Sequence, residues 1–338
     1  MEQHANDRFL ILVPVFNDWH AVALLLAALD HALAESSLLV EVLLVNDGST
    51  QAPEAGLLAQ NYQHLRSVEI LHLYRNLGHQ RAIAVGLVHI RKTMACRAVI
   101  VMDGDGEDRP RDVLRLVEEF ERYGGRTIIF AERAKRLEKI HFRLCYRSYR
   151  MLHRLLTGVQ VKVGNFSILP WQAVERLVVV SELWNHYAAA VFRARFRYRT
   201  IPLDRGRRLT GESRMNFVAL LVHGFSAISV FSDVVAARLL VIASVLIALM
   251  AGLIGTLAAL HWSPQVIVPV WVTFLAGTVF AIFSQALLAS FFLIFTIISA
   301  RANMTFIPRR DALEFVDRQE QVFRLDTLSI RRLRTRTL

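Results

Sequence analysis

No Asp, Glu, Lys or Arg occurs between Leu239 and Ala300. A helix that crosses the hydrocarbon core of a bilayer needs ~20 consecutive apolar residues, so this stretch is long enough for two. "HWSPQ" (His261 to Gln265) supplies a polar, proline-bearing turn between them. The competing reading is one very long helix buried in a soluble protein; two spans are the expectation. Arg238 precedes the first span, Arg301, Arg309 and Arg310 follow the second, and the turn is uncharged. Both ends should therefore face the cytoplasm. Nothing at the N-terminus resembles a signal peptide, because Met1 to Arg8 is polar and the next apolar run, Phe9 to Val15, is only strand-length.

The formal net charge of +11 is unevenly spread. Residues 1–132 are net negative, residues 133–214 strongly positive, and residues 301–338 moderately positive. Such a division suits an acidic segment that holds a metal and a basic one that meets phosphates. Nucleic acid is not expected as a partner, because the basic segment runs straight into the apolar spans. Cys96 and Cys145 lack a CxxC partner and fit a reducing compartment as core residues.

Apolar runs at Phe9 to Phe16, Val40 to Thr50 and Ser67 to Tyr74, a fourth in "CRAVIVMDGDGED" and a fifth at Arg126 to Arg136 read as strands. Helical spacing separates several of them, which predicts a parallel, Rossmann-like α/β sheet with ligands beyond the carboxyl ends of the strands. His141 to Gly158 reads as a basic helix, packed on the sheet in preference to lying on the membrane surface. Met215 to Arg238 reads as an amphipathic interfacial helix. The expected organisation is a cytoplasmic catalytic domain (1–214), that interfacial helix (215–238), a two-helix transmembrane hairpin (239–300) and a basic cytoplasmic tail (301–338). The tail is expected against anionic headgroups, a neighbouring subunit, or both.

"IVMDGDGEDRP" (Ile100 to Pro110) places Asp103, Asp105, Glu107 and Asp108 within six residues. Carboxylates this close repel one another unless a cation sits among them. On an extended segment Asp103 and Asp105 would point the same way, and Gly104 would let the backbone approach an ion. Oxygen-only ligands suit Mg²⁺ or Mn²⁺, with Glu107 a candidate third ligand. Taken alone the pattern is weak, and a solvated turn with helix-capping acids, Asp108 before Pro110 foremost, explains it better. His79, His141, His186 and His223 show no metal-ligand spacing, and Trp184, Trp262 and Trp271 read as packing or membrane-interface residues.

In order along the chain stand "VPVFND" (13–18), "VNDGST" (45–50), "RNLGHQRAIAVGL" (75–87), "VMDGDGEDRP" (101–110), "GNFSILP" (164–170) and "RLTGESRMNF" (208–217). This series resembles the family 2 glycosyltransferases of GT-A fold, and within them the polyprenyl-phosphate glycosyltransferases related to dolichol-phosphate mannose synthase and bactoprenol glucosyltransferase. The resemblance implies a GT-A catalytic domain in which Pro14, Val15, Asp18, Asp47, Gly78 and Asp103 contact the sugar nucleotide. Asp103, Asp105 and Glu107 would hold Mg²⁺ or Mn²⁺ on its diphosphate. It further implies Arg133, Arg136 and Arg208, with Asp105, as catalytic residues, and Asn165, Ser213 and Arg214 as acceptor-binding residues. Arg205 and Arg207 read as solvated side chains of an exposed strand.

Two departures from the family pattern stand out: Asn165 replaces a carboxylate sometimes proposed as a base, and Ser167 replaces an arginine. A sugar hydroxyl acceptor needs a general base, worth ~10²–10⁴-fold. A lipid monophosphate, with a second pKa of ~6, is already anionic near neutrality and needs only positioning and charge neutralisation. The implied reaction is therefore inverting transfer of one sugar, from a nucleotide donor with UDP favoured over GDP, to polyprenyl (undecaprenyl) phosphate at a bacterial inner membrane. A homo-oligomer, of which a tetramer is one form, is also implied. The alternatives are a transferase acting on a glycan hydroxyl or other lipid, and an inactive GT-A domain serving as a membrane assembly partner.

Overall fold

The structure, a computed structural model, describes residues 8–133, 151, 154–158, 163–210, 224–262, 269–302 and 306–325. These divide into two compact units, one containing the six sequence motifs up to residue 210 and residues 306–325, the other containing the long apolar helices.

The first unit is built on eight strands: β1 (Arg8–Val15), β2 (Leu39–Asn46), β3 (Leu65–Leu73), β4 (Ala98–Val101), β5 (Ile128–Arg133), β6 (Val163–Pro170), β7 (Tyr198–Leu203) and β8 (Val316–Arg324). Their order across the sheet is β7-β5-β6-β4-β1-β2-β3-β8. Strands β4, β1, β2 and β3 run parallel, as the alternation of apolar runs and helical spacing predicts. The sheet is nevertheless mixed. β6, carrying "GNFSILP", lies antiparallel between β4 and β5, and β8 lies antiparallel on β3. β5 is therefore not the neighbour of β4.

Successive side chains on a strand point to opposite faces, so a continuous apolar run is required wherever both faces are covered. On β1, Phe9, Ile11 and Val13 join one apolar cluster, while Leu10 and Leu12 join the other. Helix α1 (Trp19–Leu33) covers the first face through Trp19, Val22, Leu26, Leu29 and Leu33, the stripe that a 3.6-residue period brings into line. α3 (Asp112–Arg122) covers the same face. α2 (His79–Thr93), α4 (Trp171–Leu177) and α5 (Tyr187–Arg193) cover the second. α2 is buried from Ala82 through Ile90, which a single amphipathic stripe would not produce. Residues 306–316 account for it, since Ala312 enters the cluster around α2 and Phe306, Leu313 and Phe315 pack beside it. Phe306 and Phe315 also lie on Trp184, with ring centroids 4.2 and 5.4 Å away.

From Phe306 as far as Leu325, the segment expected to be a basic cytoplasmic tail is thus part of the first unit. β8 was not legible because "VDRQEQVFR" is largely polar, as befits an exposed edge strand. Cys96 is buried, and loss of water around its thiol pushes the pKa up to about 12, consistent with an inert core residue.

In the second unit, α6 (Ser232–His261) and α7 (Val270–Ala302) pack against each other. Their apolar windows have mean hydropathies of 2.6 and 2.1 and are mostly exposed, so both are long and apolar enough to cross a membrane. Residues 232–238, expected to close an interfacial helix, are instead the first turns of α6; residues 224–229 are helical, and 211–223 lie outside the described residues. Most of the expected basic helix lies outside the described residues, and of it residues 154–158 pack with α6 in the second unit. There Arg238 Nη1 donates to the carbonyl of Leu155 at 2.7 Å.

Candidate active site

The parallel strands deliver three loops to one edge of the sheet. Beyond β1, Asn17 takes a positive φ of 52° and bridges to the loop beyond β2. Its backbone N–H donates to Ser49 Oγ at 2.9 Å, its Nδ2 to Thr50 Oγ1 at 3.0 Å, and its Oδ1 accepts from the Gln51 N–H at 3.0 Å. Trp19 Nε1 adds a bond to the Gln51 carbonyl. Pro14 and Val15 end β1, and the Val15 carbonyl accepts from the Asp47 N–H at 2.8 Å.

Asp47 is almost fully buried. Its Oδ1 accepts from the Leu77 N–H at 2.7 Å and its Oδ2 from the Gly78 N–H at 2.9 Å, joining the β2 loop to the start of α2. Burial raises its pKa to about 6, against the opposing pull of those two N–H groups and of Arg81. Gly48 sits in the left-handed region with φ 63°, where a Cβ would lie 2.4 Å from the Arg75 carbonyl carbon. Only glycine lets these two loops approach so closely.

Beyond β4 the acidic loop turns at once, because the strand ends at Val101. The expected extended geometry at Asp103 and Asp105 is replaced by a turn held by its own carboxylates. Asp108 Oδ2 accepts from the Asp103 N–H at 2.9 Å, and Asp105 Oδ1 accepts from the Glu107 N–H at 3.0 Å. Asp108 therefore has a structural task that the sequence did not disclose.

Residues 204–210 lie across this loop. The Gly206 N–H donates to the Glu107 carbonyl at 2.7 Å, the Leu209 N–H donates to the Asp105 carbonyl at 3.0 Å, and the Leu209 side chain fills the space beside Gly106. Arg208 Nη2 lies 3.4 Å from Asp105 Oδ2 and 3.7 Å from Asp18 Oδ2. Arg205 pairs with Glu107. Burial lowers the Arg205 pKa, while Asp105 and Asp103 pull it back up, so one guanidinium senses three acidic residues.

An all-oxygen donor set occupied electrostatically by arginine is a fit for a hard divalent cation. Glu107, however, is not gathered with Asp103 and Asp105 into a three-carboxylate set: among the described residues no group of three or more His, Cys, Asp or Glu side chains is arranged to hold a metal. Its carboxylate is neutralised by Arg205, whose neighbours in the sequence disguised it as a solvated residue.

Asn165, assigned to the acceptor from its motif, is placed beside Asp103, with its Nδ2 donating to Asp103 Oδ1 at 3.1 Å. Arg133 ends β5 opposite Leu203. Arg136, Ser213 and Arg214 lie outside the described residues.

Residues 10–177 match the family model "Glycosyl transferase family 2". An uncharacterized glycosyltransferase, YkcC of Bacillus subtilis, is 25% identical over 237 residues, covering 69% of this chain and 70% of the relative. An undecaprenyl-phosphate 4-deoxy-4-formamido-L-arabinose transferase of Klebsiella pneumoniae is 26% identical over 264 residues, covering 75% and 77%. A dodecaprenyl-phosphate galacturonate synthase of Rhizobium johnstonii is 30% identical over 112 residues, covering 33% and 32%. Among solved structures, glucosyl-3-phosphoglycerate synthase of Mycobacterium tuberculosis, in complex with Mn²⁺, UDP-glucose and phosphoglyceric acid, superposes with a TM-score of 0.47 at 13% identity, covering 70% of this chain and 81% of that one.

Proposed function

From a glycosyltransferase whose residues 10–177 are a family 2 domain, we propose an enzyme that moves one sugar from a nucleotide donor, UDP-linked in preference to GDP-linked, to polyprenyl phosphate, with inversion. The reading rests chiefly on one observation. A turn bearing Asp103 and Asp105, at the carboxyl end of β4, is neutralised by Arg205 and Arg208 in a chain that also carries two membrane-length helices. The polyprenyl-phosphate transferases among its relatives supply the acceptor class.

Asp103 and Asp105 would hold Mg²⁺ or Mn²⁺, which when bound supplies positive charge against the departing diphosphate. The remaining roles belong to the chain itself. Asp47 and Gly78, with Pro14, Val15 and Asp18, would form the nucleotide pocket. Arg208, paired in this structure with Asp18 and Asp105, is placed to exchange those carboxylates for phosphate oxygens once the donor arrives. Arg133 and Arg136, with Ser213 and Arg214, would meet the acceptor phosphate. An amide at position 165 accepts no proton near neutral pH, which favours an acceptor that is already an anion over a hydroxyl. The work would take place at the cytoplasmic face of a bacterial inner membrane.

Incubation of the purified full-length protein with a panel of nucleotide sugars and Mn²⁺, with undecaprenyl phosphate as acceptor, should yield a lipid heavier by one glycosyl residue on a phosphate. Transfer only to a glycan hydroxyl would replace this reading. Failure of any nucleotide sugar to bind or be hydrolysed with Mn²⁺ would point to the inactive assembly partner.

A further inference from the structure

Asn165 belongs to a buried chain of hydrogen bonds whose direction is fixed from one end. The backbone N–H of Tyr187 can only donate, and it meets Gln80 Oε1 at 2.6 Å. The amide nitrogen of Gln80 must then face the other way, where it lies 3.0 Å from His79 Nε2 and donates to Asn165 Oδ1 at 2.9 Å. Asn165, having spent its oxygen, turns its Nδ2 to Asp103 Oδ1. A single main-chain donor thereby sets both amide orientations and delivers a donor to the carboxylate. Gln80 and Asn165 are each 7% exposed, and Tyr187 is fully buried. Ser167 fixes the strand beneath: its Oγ donates to the Asn165 carbonyl at 2.8 Å and bonds the Tyr187 hydroxyl at 2.7 Å.

We propose that Gln80 and Asn165 are positioning residues for Asp103, a relay that grips one carboxylate oxygen and leaves the other for the divalent cation. The inference rests on the metal role proposed for Asp103 and Asp105 and deepens it. With its N–H on Asp108 and its Oδ1 on Asn165, Asp103 is held at two points before any ion arrives. Groups that orient a ligating carboxylate in this way are worth roughly 10–100-fold in metal affinity. The relay also explains the amide at position 165, since an acceptor-only carboxylate there would offer Asp103 repulsion in place of a donor.

Gln80→Glu reverses the relay with little change of shape. One carboxylate oxygen still accepts from Tyr187, but the other now demands a donor from Asn165, which must rotate and present its own oxygen to Asp103. Mn²⁺ affinity is read by electron paramagnetic resonance on the full-length protein in detergent, with UDP or GDP present, and folding by the thermal midpoint. Gln80→Glu and Asn165→Ala should each bind Mn²⁺ at least tenfold more weakly while Asp105→Ala loses binding. Should Gln80→Glu not fold, Asn165→Ala decides the matter alone. If Asp105→Ala loses Mn²⁺ while Asn165→Ala binds it as the parent does, the relay is refuted and the metal site stands. If Asp105→Ala binds Mn²⁺ unchanged, the metal reading itself falls, and the relay with it.

Discussion

Asp105 and Asn165 differ in what their loss should do. Asp105→Ala is expected to abolish transfer, because it removes one of the two carboxylates proposed to hold the cation on the donor diphosphate. Asn165→Ala is expected to lower transfer by ~10–100-fold, the range for a group that orients a ligand without binding the ion. Equal and total losses in a lipid-product assay would overturn that division.

Asp47 gives a pH signature. Its carboxylate is raised by burial to about 6, so it is ionised at pH 7 and loses its charge as pH falls through that value. The charged form best accepts the Leu77 and Gly78 N–H groups that shape the proposed nucleotide pocket. Donor KM should therefore rise as pH drops from 7 to 5, with kcat less affected, in initial-rate measurements across that range. The sign for stability is opposite. A raised carboxylate pKa favours the folded state below the unfolded value near 3.8, and that contribution is lost as pH rises through about 6. At Gly48, alanine would meet the Arg75 backbone in a disfavoured conformation, and Gly48→Ala should cost about 1–3 kcal/mol in chemical denaturation.

Two elements decide what single residues could not. Residues 204–210 turn Arg205 and Arg208 onto the acidic loop through the backbone bonds of Gly206 and Leu209. Arg208 was legible from its motif; Arg205 was not, because alternation in "FRARFRYRTIPLDRGRR" (192–208) is equally the pattern of an exposed strand. Arg208→Ala should reduce transfer by about 10²-fold, as for loss of one preorganised donor at developing charge. The second element is β8, which closes the β3 edge through pairs running from Leu73↔Val316 to Ser67↔Arg324. Removing residues 316–338 should lower the thermal midpoint by several degrees and promote aggregation, measured by differential scanning fluorimetry and light scattering, since an unpaired apolar edge strand is a template for association.

At the scale of the molecule, the chain leaves the first unit for the second time at Phe231, just before α6, and returns to it at Phe306, after α7. If both helices span a bilayer, the catalytic unit and β8 must lie on one side of it. Tags placed before Arg8 and after Arg324 should therefore show the same protease accessibility in sealed inside-out vesicles.

The sequence by itself determined the parallel half of the sheet, the two apolar helices and the acidic loop. Each is encoded by residues close together in the chain: runs of buried apolar side chains, an absence of charge, four carboxylates in six positions. Tertiary structure alone decided the antiparallel insertion of β6, the return of β8 and the meeting of Gln80, Asn165 and Asp103. Those depend on pairings between residues 85 and 62 positions apart, and further still for β3 with β8. Local periodicity carries no record of which distant polar groups will be buried together and must satisfy one another.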